Sequence, residues 1–167
     1  DSIYVSRRKF NIPVKMSNHP WVNGYIDQVL EFIKKHLTNQ KTDIDSVDII
    51  VANKAKDLVN RFKLEFQKDA FDQLRDTLPE DHLYRTEMNL ASMLMRLANA
   101  VTDLSSSPDE ERSWWVELGS NVGGARTLMQ DHEWCLAETE PEENRSVVPV
   151  MGIDLPFKLQ LYIESSS

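Results

Sequence analysis

The sequence predicts an α+β domain, helical over residues 18–130 with a bundle of three to four long helices over 18–104, followed by a small antiparallel β-sheet over residues 131–164. Three observations carry that expectation. Apolar residues recur at helical spacing through most of the chain, as in Leu90, Leu94, Leu97, Val101 and Leu104. Residues 42–78 contain neither glycine nor proline. Near the C-terminus the period changes to two, with Phe157, Leu159, Leu161 and Ile163 alternating with Lys158, Gln160 and Tyr162.

Residues 1–15 read as a basic extended arm ahead of a single domain covering 16–167. Ile3, Val5, Phe10, Ile12 and Val14 alternate in part with polar residues, and Pro13 restricts the segment to an edge. Arg7, Arg8, Lys9 and Lys15 oppose only Asp1, a net of +3, which leaves −11 for the remainder of a chain of formal charge −8. Met16 has the features of a chain start, so residues 1–15 are expected to be separable from the fold.

A first helix opens at Pro20, a residue suited to a first helical position, and buries Val22, Tyr25, Ile26, Val29, Ile33 and Leu37. A second helical region is expected from about Thr42 to Leu78, with Val47, Val51, Ala55, Leu58, Phe62 and Phe66 on its buried side. A third follows Pro79 along the Leu90-to-Leu104 seam, with Met88, Met93 and Met95 widening its apolar face as core filler. Ser107-Pro108-Asp109-Glu110 reads as a capping box, opening a short helix over 108–118 that Gly119 ends as a C-cap. Beyond Gln130, residues 132–138, 147–151 and 157–163 read as strands.

The charge balance disfavours general binding to phosphate backbones, which an acidic body repels. The longest aliphatic run, residues 49–52, is far short of the ~20 apolar residues that span a bilayer. Cys135 is the single cysteine, so the fold rests on its core rather than on an internal disulfide, and an intracellular, reducing compartment is expected.

Candidate sites cluster around residues 113–126. Trp114 and Trp115 point to different sides of any regular element, so one belongs to the core and the other to the surface. With Arg126 they form the best interaction candidate, since interfaces favour tryptophan and arginine. Arg7, Arg8 and Lys9 on the basic arm form a second. Gly119, Ser120, Asn121, Gly123 and Gly124 compose a Gly-rich turn able to offer backbone N–H groups to an anion; the plainer reading is a helix end and a turn. His132 and Cys135 fall on opposite faces of a strand, so no metal site is assigned. No catalytic residue is assigned either. Glu110, Glu111 and Glu117 are explained by capping and solvation, and the acidic loop 138–143 by a solvated turn.

The string Leu118-Gly119-Ser120-Asn121-Val122-Gly123-Gly124, followed by Ala125 and Arg126, resembles the strand-to-loop start of hydroxymethyl-dihydropterin pyrophosphokinases. That resemblance implies a phosphate-handling turn, but it covers this short stretch alone, and the paired aspartates with which that family holds magnesium are not found. Residues 20–27 are similar to the Trp-Ile-Asn-Gly-Tyr-Leu-Glu opening of plant sucrose-phosphate synthases, and an amphipathic helix start explains the same residues.

The sequence therefore points to a non-enzymatic protein-interaction module: an adaptor, assembly factor, inhibitor or regulatory subunit of a larger complex. It needs no cofactor, and its partner is a protein with a basic surface. The alternative is a small phosphate- or nucleotide-binding protein using residues 119–126.

Overall fold

The computed structural model describes residues 3–38, 44–67, 81–104, 111–129, 134–137, 145–153 and 158–166. Strands β1 (Tyr4–Lys9) and β2 (Ile12–Ser17) form a hairpin in register Lys9↔Ile12 to Tyr4↔Ser17. Its two-residue turn places Phe10 and Asn11 at φ of 49° and 61°. Both are left-handed, as a turn matching the twist of the flanking strands requires. The basic residues at positions 7–9 thus lie on a strand folded back on itself. Helix α1 (Pro20–Thr38) follows, with Val29, Phe32 and Ile33 buried.

Over the described residues 44–67 the helix expected across 42–78 does not form, and residues 68–78 lie outside the described residues. The described part is a hairpin of β3 (Ile44–Ala52) and β4 (Leu58–Gln67), paired from Ser46↔Glu65 to Ala52↔Leu58. The turn between them uses no glycine or proline. The Asn53 side-chain oxygen accepts the N–H groups of Ala55 and Asp57 at 2.9 and 3.0 Å, and Lys56 takes the left-handed conformation at φ 74°. β-Branched Val47, Ile49, Ile50 and Val51 favour the strand, where their stiff side chains pack on the pleat.

Helix α2 (Asp81–Asp103) matches the expected third helix. Residues 113–120, expected within and just after a short helix, form strand β5 (Ser113–Ser120), which leads into α3 (Val122–Leu128). Strands β6 (Arg145–Ile153) and β7 (Lys158–Ser166) make the C-terminal hairpin, with a register shift between Pro149 and Met151. Of the strand expected over 132–138, residues 134–137 are described and are irregular; the other residues of that segment lie outside the described residues, as do the loop at 138–143 and the capping box at 107–110.

The five strands β5-β3-β4-β7-β6 form one antiparallel sheet. This overturns the expected architecture of a helical bundle with a small C-terminal sheet. The sheet is central, and three of its strands come from the part of the chain read as helical. Each of those strands has a partner from a distant part of the chain, β3 with β5 and β4 with β7, a non-local pairing that sequence periodicity does not report.

Strand alternation divides the sheet into two faces. One carries α2: Met93 packs with Val150, Ile153, Leu159, Leu161 and Ile163, and with half-buried Phe62, Leu64 and Phe66. A second cluster joins Phe32 of α1 and Leu128 of α3 to Ile44, Val47 and Leu118. The other face is polar. Its cross-strand rows run Glu117–Asp48–Lys63–Tyr162 and Trp115–Ile50–Arg61–Glu164.

Candidate functional site

The site is built on the outer edge of β5. Among the described residues β5 pairs only with β3, so one row of its main-chain groups has no strand partner. The Val116 N–H identifies which row. It points away from β3 and donates to the Tyr25 hydroxyl oxygen at 3.1 Å. By the alternation of an antiparallel ladder, Trp114, Val116 and Leu118 all turn their N–H and C=O groups outward.

A groove of about 970 Å³ runs along this edge. Tyr25, Gln28 and Val29 of α1 line one side, with Ala125 and Leu128 of α3. Residues 134–137 line the groove as well. Trp134 packs on the Phe32 ring at 4.8 Å, tying that segment to α1. The groove therefore combines a strand edge with an apolar wall. The wall follows from the fold, since Phe32 of α1 and Leu128 of α3 are buried together against Ile44, Val47 and Leu118.

The polar face of β5 also lines the groove, through Trp115, Glu117 and the neighbouring Arg61 and Lys56. Trp115 Nε1 donates to Glu117 Oε1 at 2.8 Å, and the Lys56 ammonium stands 5.7 Å from the Trp115 ring centroid. Arg61 lies among three carboxylates, at 3.9 Å from Asp48, 3.7 Å from Glu117 and 3.7 Å from Glu164. Asp48 is 6% exposed, and its Oδ1 has no hydrogen-bond partner among the described residues. Burial pushes its carboxyl above the ordinary 3.8, against the lowering effect of a Ser46 hydrogen bond and of the Lys63 and Arg61 charges. A carboxylate–arginine network of this kind orders the sheet face.

The sequence-selected residues separate in the fold. Trp114 sits on the apolar side of β5, 42% exposed, with its ring edge-on to Tyr25 at 5.5 Å; Trp115 sits on the polar side, half-buried. Gly119 is not a helix C-cap. It is a strand residue opposite Ser46, without positive φ, and a β-carbon there would fall 2.4 Å from Ser46 Oγ. Close approach, not a left-handed backbone, requires glycine at this position. Ser120 ends the strand and lines the groove. Asn121 caps α3, its side-chain oxygen accepting the Gly124 N–H at 2.8 Å, so that donor is used within the turn. Gly123 and Arg126 are exposed on α3, and Gly124 is buried. Arg7, Arg8 and Lys9 are exposed on β1 and do not line the groove. Among the described residues no group of three His, Cys, Asp or Glu side chains is placed to hold a metal ion. No described helix is long and apolar enough to cross a membrane.

Sequence reasoning missed Tyr25, Gln28 and Trp134. Tyr25 reads as one more member of a helical stripe, and only its contact with β5 across 91 positions of sequence reveals its place.

No family model matches the chain. Its sequence is similar to that of "Mitotic spindle assembly checkpoint protein MAD2B" from Danio rerio, 26% identical over 174 residues, 99% of this chain and 79% of that protein. The Homo sapiens protein of the same name is 25% identical, covering 97% and 78%. "DNA polymerase zeta subunit 2" from Drosophila melanogaster is 24% identical over 70% of this chain and 56% of that protein. Among solved structures, a chain of the "Mitotic Checkpoint Complex" superposes with a TM-score of 0.79 at 12% identity, covering 99% of this chain and 84% of that one. C. elegans HTP-2 bound to the HIM-3 closure motif gives 0.70 at 11% identity, covering 99% and 79%. This chain thus has the fold of the checkpoint-complex and HTP-2 chains, on a sequence similar along almost its whole length to MAD2B proteins.

Proposed function

We propose that this protein is a non-enzymatic protein-interaction module that captures an extended segment of a partner protein by adding it as a strand beside β5. The observation that carries this reading is the outward row of β5 main-chain groups set in an apolar-walled groove. Strand addition draws affinity from main-chain hydrogen bonds and selectivity from the pockets that receive alternate side chains. Here one set of alternate side chains meets Trp114, Val116, Leu118 and α1, and the other meets Trp115 and Glu117.

The similar proteins support the same direction. HTP-2 is named as bound to a closure motif, and the MAD2B and polymerase zeta relatives are named for a checkpoint and for a subunit of a complex. The role we assign is that of a regulatory subunit. Its net charge of −8 favours a partner with basic flanks over an acidic one.

Selection of a phage-displayed library of random 12-residue peptides on the purified protein tests the reading. The tightest peptide should lose binding to Val116→Pro, which removes an outward N–H without touching the ladder to β3. It should keep binding to Arg7→Ser/Arg8→Ser/Lys9→Ser. Selected peptides indifferent to Val116→Pro would place the binding surface elsewhere.

A further inference from the structure

Tyr25 stands where an added strand must go. Its hydroxyl oxygen accepts the Val116 N–H at 3.1 Å, and that donor is central in the outward row of β5. A docking strand needs the same donor for one of its own carbonyls. The two acceptors cannot share it in good geometry, so capture and the Tyr25 contact compete.

The surroundings fit a group that holds and then yields. The Tyr25 ring rests edge-on against Trp114 at 5.5 Å, a contact that favours the held position. Tyr25 is 38% exposed, so its ring has an open path outward. Helix α1 is fixed by buried Val29, Phe32 and Ile33, so the movement belongs to the side chain and not to the helix. An unpaired strand edge invites pairing with any passing strand, and proteins blunt such edges with side-chain devices.

Resting on the strand-capture reading, we propose that Tyr25 is a displaceable plug of the β5 edge. Its hydroxyl satisfies Val116 while the groove is empty and is exchanged for a partner carbonyl on capture. The exchange conserves the number of hydrogen bonds. A partner strand therefore gains nothing at Val116, and it must bind through the rest of its length. Short or poorly matched strands are disfavoured, whereas a strand that also fills the α1–α3 wall is admitted.

Tyr25→Phe tests this, because it keeps the ring and deletes the plug. Amide hydrogen exchange of the protein alone should show Val116 exchanging about tenfold faster in Tyr25→Phe than in wild type, with Trp115 and Glu117 unchanged. The tightest 12-residue peptide from the library should bind Tyr25→Phe about three- to tenfold more tightly, the effect of one net hydrogen bond. Unchanged Val116 exchange overturns the plug. Accelerated exchange with equal or weaker peptide binding also overturns it, since the hydroxyl would then be neutral or would itself contact the partner. Accelerated exchange with peptides that ignore Val116→Pro overturns strand capture, and the function of the plug with it.

Discussion

Gly119→Ala is the sharpest test of the sheet register. Gly119 faces Ser46 directly across β5 and β3, and Ser46 is buried at 4% exposure. The added β-carbon would lie 2.4 Å from Ser46 Oγ, 3.4 Å from its Cβ and 3.5 Å from its backbone nitrogen. The hydroxyl must move, and its hydrogen bond to Asp48 moves with it. Overpacking of a tight interior typically costs ~1–3 kcal/mol. Replacing a strand glycine by alanine returns about 0.5–1 kcal/mol by restricting the unfolded chain. The clash wins, for a net destabilisation of about 1–2 kcal/mol. In a domain of this size that lowers Tm by roughly 2–8 °C. Thermal and urea unfolding of wild type, Gly119→Ala, Ser46→Gly and the double variant close a mutant cycle. The double variant should recover most of the loss, with a coupling of about 1 kcal/mol or more. If Gly119→Ala is as stable as wild type, or its cost is the same without the Ser46 side chain, the β3–β5 register described here is refuted.

Other consequences can be measured on the same protein. The raised carboxyl of Asp48 makes its ionised form a burden on the fold, so its contribution to stability falls as pH rises from the ordinary 3.8 through the elevated folded value. Asp48→Asn should therefore compare more favourably with wild type at pH 7 than at pH 3, and a Tm difference independent of pH would contradict this. Arg61→Gln leaves Asp48, Glu117 and Glu164 facing one another without their shared cation. The pairs are long and partly screened, so a loss of about 1–3 kcal/mol in urea unfolding is expected, and a change below ~0.5 kcal/mol would show the network to be inert. Replacing Arg7, Arg8 and Lys9 with serine should move Tm by less than about 2 °C, because all three are exposed. Deleting residues 1–15 should lower Tm by less than about 10 °C and leave peptide capture at β5 intact, whereas a larger drop would mark the hairpin as integral.

The sequence by itself determined the elements whose pattern is complete within their own residues. Pro20 and the stripe through Val29 and Ile33 specify α1, the Leu90-to-Leu104 seam specifies α2, and the alternation of Leu159, Leu161 and Ile163 specifies β7. It also carried the divergence of Trp114 and Trp115, since adjacent residues diverge on a helix and on a strand alike, but neither ring is buried as the expected core member would be. The sheet at the centre of the fold was decided by tertiary structure. Val47, Val51, Leu58, Phe62 and Phe66 are four or seven positions apart, which suits a helical stripe. Phe62, Leu64 and Phe66 also alternate with Arg61, Lys63 and Glu65, which suits a strand. Periodicity alone does not choose between these readings. The choice came from β4 lying between β3 and β7, and from an asparagine-built turn at Asn53 where no glycine or proline announces one. Gly119 was legible as special, but its reason lies in Ser46, seventy-three positions away. The groove was the least legible feature, because it joins Tyr25, β5, α3 and Trp134, and only the folded chain brings them together.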